Sequence, residues 1–197
     1  MVNKILAHTK TLVIVSIVIG FFACSGNVES NTEVNQSPAE NKKETGKYTP
    51  ESLNAVIMEM EDAIQNPTTP DKEDLRTDLA GFYQSYYTLF SGDSLAPDML
   101  FRAGNMYVNL NRFDEALAMY STIENKFRGY QKRPESIYLE GFIYDTYKNE
   151  FGNAKEKYQI LIKDYPNHEL AEQAKQSIEN LGLTDEEIIR KFEKNLK

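Results

Sequence analysis

The sequence is nearly empty of the residues on which most enzyme chemistry depends. It has one cysteine, Cys24, and two histidines, His8 and His168. A single cysteine excludes a disulfide framework within the chain. So little Cys and His also leaves almost no material for zinc sites or nucleophilic triads. Positive charge is short as well, with 22 Lys and Arg against 30 Asp and Glu and a formal net charge of −8. The first 23 residues hold Lys4 and Lys10 and no acid, so the rest of the chain carries 20 basic against 30 acidic residues. Such a body repels a phosphate backbone, and with no basic patch along it nucleic acid is not an expected partner. No phosphate loop, glycine-rich dinucleotide turn, EF-hand loop or Gly-x-Ser-x-Gly elbow occurs, so neither a cofactor nor a bound metal is expected. Strand signals are missing throughout.

Enough is present for one ordinary domain with appendages: 197 residues, 41% hydrophobic, 11% aromatic and 26% charged. The apolar run from Leu12 to Ala23 follows Lys4, His8 and Lys10. It is too short to cross a hydrocarbon core comfortably and suits the central part of a secretory signal. The run ends Phe21-Phe22-Ala23-Cys24, followed by Ser25 and Gly26, and here it resembles a bacterial lipoprotein signal. That resemblance implies cleavage after residue 23, acylation of Cys24 and a lipid anchor in a membrane, where several acyl chains hold what one would release. Ser25, in place of the Asp that marks inner-membrane retention, favours the outer membrane facing the periplasm, with the cell surface as a further option. An uncleaved anchor and a plain secreted protein are the alternatives. Residues 24–47 are rich in Asn, Ser, Glu and Thr, with Val28 and Val34 as their only large apolar residues. They read as a disordered tether.

The folded part is expected over 48–197 and is all-α, about eight helices in four pairs. Thr49 caps a first helix with Pro50 at its first position, and Leu53, Val56, Ile57, Met60 and Ile64 form its apolar stripe. After Asn66–Pro70 a second helix buries Leu75, Leu79, Phe82, Tyr83, Tyr86 and Phe90. Near the end, Leu170, Ala171, Ala174, Ile178 and Leu181 mark another helix stopped by Gly182, and Thr184 with Glu187 forms a capping box for the last.

Between them the chain nearly repeats itself, as 97–129 and 134–166. Gly104, Tyr107, Ala116 and Tyr120 answer to Gly141, Tyr144, Ala154 and Tyr158, at periods of 37 between the glycines and 38 between the alanines. This order of small residues and tyrosines resembles the tetratricopeptide repeat (TPR), a helix-turn-helix unit. Physically, the small residues are the narrow points where two antiparallel helices approach, and the tyrosines fill the space between helices. Residues 50–90 read as a degenerate leading repeat. The turns within the clear pairs are expected at Asn111–Asp114 and Asn149–Asn153. The connection Phe127–Arg133 is longer than the family's and basic; it reads as a solvated link, with a functional patch as the alternative.

The resemblance implies a short TPR superhelix closed by a C-terminal capping helix, with no enzymatic activity and a protein or peptide partner in a concave groove. Carried onto this sequence, the family's groove positions fall on Asp98, Phe101, Asn105 and Val108, then Glu135, Tyr138, Phe142 and Asp145. Phe101, Tyr138 and Phe142 are large apolar residues where the framework needs none. Either they meet a partner, or terminal helices fold over them. Asn105 matches the carboxylate clamp of chaperone-binding TPRs, but Phe101 stands where that clamp needs Lys, so the clamp is excluded. The acids Glu59, Glu61, Asp62, Asp71, Glu73 and Asp74 read as solvated helix faces and first-turn residues rather than paired catalytic acids. Lipid signal and TPR together resemble the BamD outer-membrane assembly lipoproteins and, more distantly, the CpoB/YbgF proteins. They imply a scaffold of the bacterial cell envelope, in outer-membrane protein assembly or envelope maintenance. A glycan- or peptidoglycan-handling protein is the alternative, for which the twelve tyrosines would line a groove.

Overall fold

A computed structural model describes residues 48–70 and 72–195. The expected signal, Cys24, the tether, Asp71 and Leu196 lie outside the described residues. Among the described residues eight helices succeed one another: α1 Pro50–Gln65, α2 Lys72–Leu89, α3 Ala96–Asn109, α4 Phe113–Lys126, α5 Arg133–Thr146, α6 Phe151–Asp164, α7 Glu169–Asn180 and α8 Asp185–Asn195. Among the described residues there is no strand, and no helix is long and apolar enough to cross a membrane.

Local chemistry sets the boundaries. Thr49 and Ser52 form a reciprocal capping box: Thr49 N donates to Ser52 Oγ at 2.9 Å and Ser52 N to Thr49 Oγ1 at 3.2 Å. Thr184 and Glu187 do the same ahead of α8, at 2.8 and 3.3 Å. Asn111 and Asn149 take left-handed backbone angles, φ 57° and 52°, which Asn tolerates better than most residues. Each reverses the chain at the same point of its repeat. The turns are therefore tighter than the sequence suggests: Phe113 and Phe151 already open helices α4 and α6. Gly182, at φ 74°, closes α7 as expected.

Each helix from α1 to α6 packs on the next, and α7 also reaches back to α5. That is the stacking of helix pairs that the resemblance implies. At the narrow points a ring meets bare backbone. A Cβ on Gly104 would stand 2.5 Å from Cε1 of Tyr120, and one on Gly141 2.6 Å from Cε1 of Tyr158. The second-helix tyrosine of each pair thus lies against the first helix where that helix has no side chain, and Ala116 and Ala154 are fully buried. The leading pair α1–α2 keeps Leu79, Tyr83 and Tyr86 in the core without such a glycine.

The long connection proves to be more than a solvated link. Arg133 belongs to α5 and is buried; its Nε donates to the Glu124 carbonyl at 2.9 Å and its Nη1 to Tyr165 Oη at 2.7 Å. Glu61, read as a solvated acid, is half-buried and accepts from Tyr83 Oη at 2.5 Å and Arg102 Nη1 at 2.6 Å.

Candidate functional site

The eight residues carried over from the repeat pattern lie on the first helices of the two clear pairs, four on α3 and four on α5, and all are half-buried. Spacings of three, four and three residues keep each set on one helix face. The two sets nevertheless differ in what they leave open.

On α3 the polar and apolar groups are already engaged. Asp98 accepts from Tyr130 Oη at 2.5 Å and pairs with Lys132 at 3.7 Å. The Lys132 ammonium lies 5.1 Å from the centre of the Phe101 ring, and the Tyr130 and Tyr120 rings stand 6.5 and 6.0 Å from it. Burial, and then the bond to Asp98, push the Tyr130 phenol well above its ordinary range. Asn105 accepts from Tyr120 Oη at 2.6 Å. Val108 completes the row. What covers Phe101 is thus neither terminal helix but the connection from Phe127 to Lys132, folded back on α3. The extra length of that connection was legible in the sequence, and this is what it does.

On α5 Tyr138 and Phe142 are half-buried like Phe101, and α7 packs back against this helix. Tyr138 leans on Tyr158 at 5.6 Å between ring centres, and Phe142 meets Tyr147 edge-on at 5.8 Å. Tyr147 in turn stacks on Phe113 at 4.2 Å and is 44% exposed. Glu135 opens the helix, where a carboxylate suits the dipole, yet its Oε2 is shielded from water without a hydrogen bond. Asp145 closes it, and burial raises its carboxyl pKa. The Tyr158 hydroxyl is buried beside Ser177, which hydrogen-bonds to it, and the charge of Asp145; burial pushes its pKa well up.

Behind this face lies a charged cluster that sequence reasoning missed. Lys157 of α6 pairs with Glu124 of α4 at 2.5 Å and with Glu140 of α5 at 2.8 Å. Glu140 is 1% exposed and its Oε1 has no partner. Burial pushes its pKa up to about 8, the charge of Glu124 adds to the rise, and Lys157 opposes it without prevailing. For Lys157 burial works the other way, and the two carboxylates together outweigh it and hold the ammonium charged. This cluster joins the two clear repeats and is largely buried, so it serves structure. An open hollow of about 490 Å³ at the helix turns is lined by Arg112 and Lys148. Both cations are paired, with Glu115 at 2.7 Å and Asp114 at 2.8 Å. No group of three His, Cys, Asp or Glu among the described residues could hold a metal ion.

Residues 98–129 and 135–168 match the sequence pattern of the tetratricopeptide repeat family. These are the two repeats built on Gly104 and Gly141, bounded within two residues of where the small residues and tyrosines place them. No curated protein matches the chain. Repeats of this family mediate protein–protein interaction or scaffolding, and their helical fold is typically a non-enzymatic scaffold.

Proposed function

We propose that the chain is a lipid-anchored scaffold of the bacterial cell envelope that holds a protein or peptide partner on the first-helix face of its second clear repeat. The observation that carries this reading is the contrast between the two repeats. On α3 Asp98, Phe101 and Asn105 are engaged by Tyr130, Lys132 and Tyr120, whereas on α5 the half-buried Tyr138 and Phe142 stand between two carboxylates and meet other rings, those of Tyr158 and Tyr147. Aromatic residues at this degree of exposure supply contact area at low entropic cost. The sequence of residues 1–24, which ends in the chain's lone cysteine, supports acylation at Cys24 and a destination at the outer membrane.

Two experiments test the two halves of the proposal. A photo-cross-linking residue placed at Thr146, an exposed position beside Asp145 on α5, should capture a discrete partner in intact cells. Capture should fail with Tyr138→Ala/Phe142→Ala while the circular dichroism spectrum stays helical; undiminished capture would move the site elsewhere. For the anchor, Cys24→Ala should release the protein from the membrane fraction. A variant that still sediments with membranes would rule out acylation as the tie.

A further inference from the structure

The six-residue connection between α4 and α5 returns to α3 and seats two side chains there. Tyr130 Oη donates to Asp98 at 2.5 Å, and the Tyr130 ring meets Phe101 edge-on with centres 6.5 Å apart. Two residues on, the Lys132 ammonium lies 5.1 Å from the centre of the Phe101 ring and 3.7 Å from the Asp98 carboxylate. One phenol and one ammonium thus share one carboxylate and one ring. Asp98 and Phe101 are two of the positions at which the repeat pattern expects a partner. The chain places its own residues on them.

The ends of this segment are fastened independently of α3. At its start Phe127 N donates to the Ile123 carbonyl at 3.0 Å, and the Phe127 ring stands edge-on to Tyr87 at 6.0 Å. At its end Arg133 is buried and bonded to Glu124 and Tyr165. Two turns close between them, Tyr130 N to the Phe127 carbonyl and Arg133 N to the Tyr130 carbonyl, both at 3.0 Å. Arg128, Gly129, Gln131 and Lys132 are exposed, and a Cβ on Gly129 would meet nothing. The Lys132–Asp98 pair lies at the surface, its side chains 49% and 37% exposed, and such pairs hold weakly. A strap with fixed ends and a weakly held middle can lift without unfolding the helices beneath it.

We propose that the α3 face is a subsite for a polypeptide segment with an aromatic residue and a base two positions later. The chain's own Tyr130 and Lys132 hold that subsite closed until such a segment displaces them. The inference concerns α3 and stands whether or not α5 meets a partner. The strap displays the chemistry of the ligand: a ring against Phe101 with a hydroxyl for Asp98, and a cation for both. An incoming segment competes with an intramolecular rival whose effective concentration is on the order of millimolar. Acidic segments are disfavoured by Asp98 and by the chain's net charge of −8.

The test uses the full-length protein with Tyr130→Ser/Lys132→Ser, which empties the subsite and leaves both ends of the strap in place. The probe is a fluorescein-labelled peptide with the sequence of residues 127–133, titrated by fluorescence anisotropy. Its Kd for this variant should be at least about tenfold lower than for the parent protein, whose own strap competes. Adding Asp98→Asn/Phe101→Ala should abolish binding, as should serine in place of the peptide's tyrosine and lysine. Equal binding to parent and variant would overturn the strap. Absence of binding up to about 1 mM peptide, or binding indifferent to Asp98→Asn/Phe101→Ala, would overturn the subsite. Hydrogen exchange on the parent protein tests the strap without any substitution. The Tyr130 amide should exchange at least about a hundredfold faster than the Tyr120 amide in the middle of α4. Equal protection of the two would make the connection a fixed part of the fold and sink the proposal.

Discussion

The ring of Tyr158 rests on the backbone of Gly141 so closely that a Cβ there would sit 2.6 Å from Cε1 and 2.8 Å from Cδ1. Tyr120 holds the same position over Gly104. These two contacts decide how near the helices of each pair can come. They also explain why a residue that disfavours helix occurs in the middle of two helices.

Alanine at either position should therefore destabilise the domain, against the helix scale. Replacing glycine by alanine within a helix ordinarily gains on the order of 1 kcal/mol. Here the methyl group would meet a buried ring, and overpacking of this kind costs about 1–3 kcal/mol. Gly104→Ala and Gly141→Ala should lower the urea midpoint, whereas Gly81→Ala, with nothing near its Cβ position, should raise it or leave it unchanged. Stabilisation by Gly141→Ala would refute the packing role.

The bond from Tyr120 to Asn105 at 2.6 Å makes a second expectation. Asn105→Ala removes the acceptor and leaves a fully buried hydroxyl unpaired, a loss of about 1–3 kcal/mol. Adding Tyr120→Phe removes the orphaned group and should recover most of that loss. A double-mutant cycle in urea reads the coupling directly; additive single effects would show that the bond contributes nothing.

Much of this was legible in the sequence, and the unread parts share a physical cause. Gly104, Gly141, Ala116 and Ala154 betray the repeats because close helix approach restricts residue size at fixed spacing, and the turn and cap residues betray the boundaries because their chemistry is local. Nothing in the local sequence singles out Glu124, Glu140 and Lys157. Their burial arises only when α4, α5 and α6 converge, and no local pattern records that meeting. Arg133 was hidden in the same way, at the end of a basic stretch whose other members are exposed or half-buried. On the candidate face the positions could be named from the repeat pattern. That Tyr130 and Lys132 would close over Phe101 depended on how a connection folds back, which residue spacing does not encode.

The Glu124–Lys157–Glu140 cluster gives stability a pH dependence with a definite sign. Glu140 has its pKa raised to about 8 in the fold, from 4.5 as the ordinary value. Between those values the folded state holds a proton that the unfolded chain has lost, so this group's contribution falls as pH rises from 4.5 to 8. Below 4.5 both states are protonated and the contribution is complete. Glu140→Gln keeps the neutral form at every pH. Its thermal midpoint relative to the parent protein should therefore climb steadily from about pH 5 to about pH 8, as followed by circular dichroism. A difference that stays constant over that range would show that Glu140 does not titrate there.

Arg133 is the last residue whose replacement separates two accounts. Its guanidinium ties three elements together: the carbonyl of Glu124 at the end of α4 at 2.9 Å, Tyr165 Oη beyond α6 at 2.7 Å, and Asp164 at 3.4 Å. It also lies 5.5 Å from the centre of the Tyr165 ring. If charge alone mattered, Arg133→Lys would be harmless. A single ammonium, however, cannot reproduce the planar fork that serves a carbonyl, a phenol and a carboxylate at once. Bonds to charged groups contribute about 1.5–3 kcal/mol each, so Arg133→Lys should cost on the order of 2 kcal/mol and shift the urea midpoint without altering the slope. Hydrogen exchange should then rise first at the α4–α5 junction and the end of α6. An Arg133→Lys protein as stable as the parent would mean that the connection is held by Tyr130 and Lys132 alone.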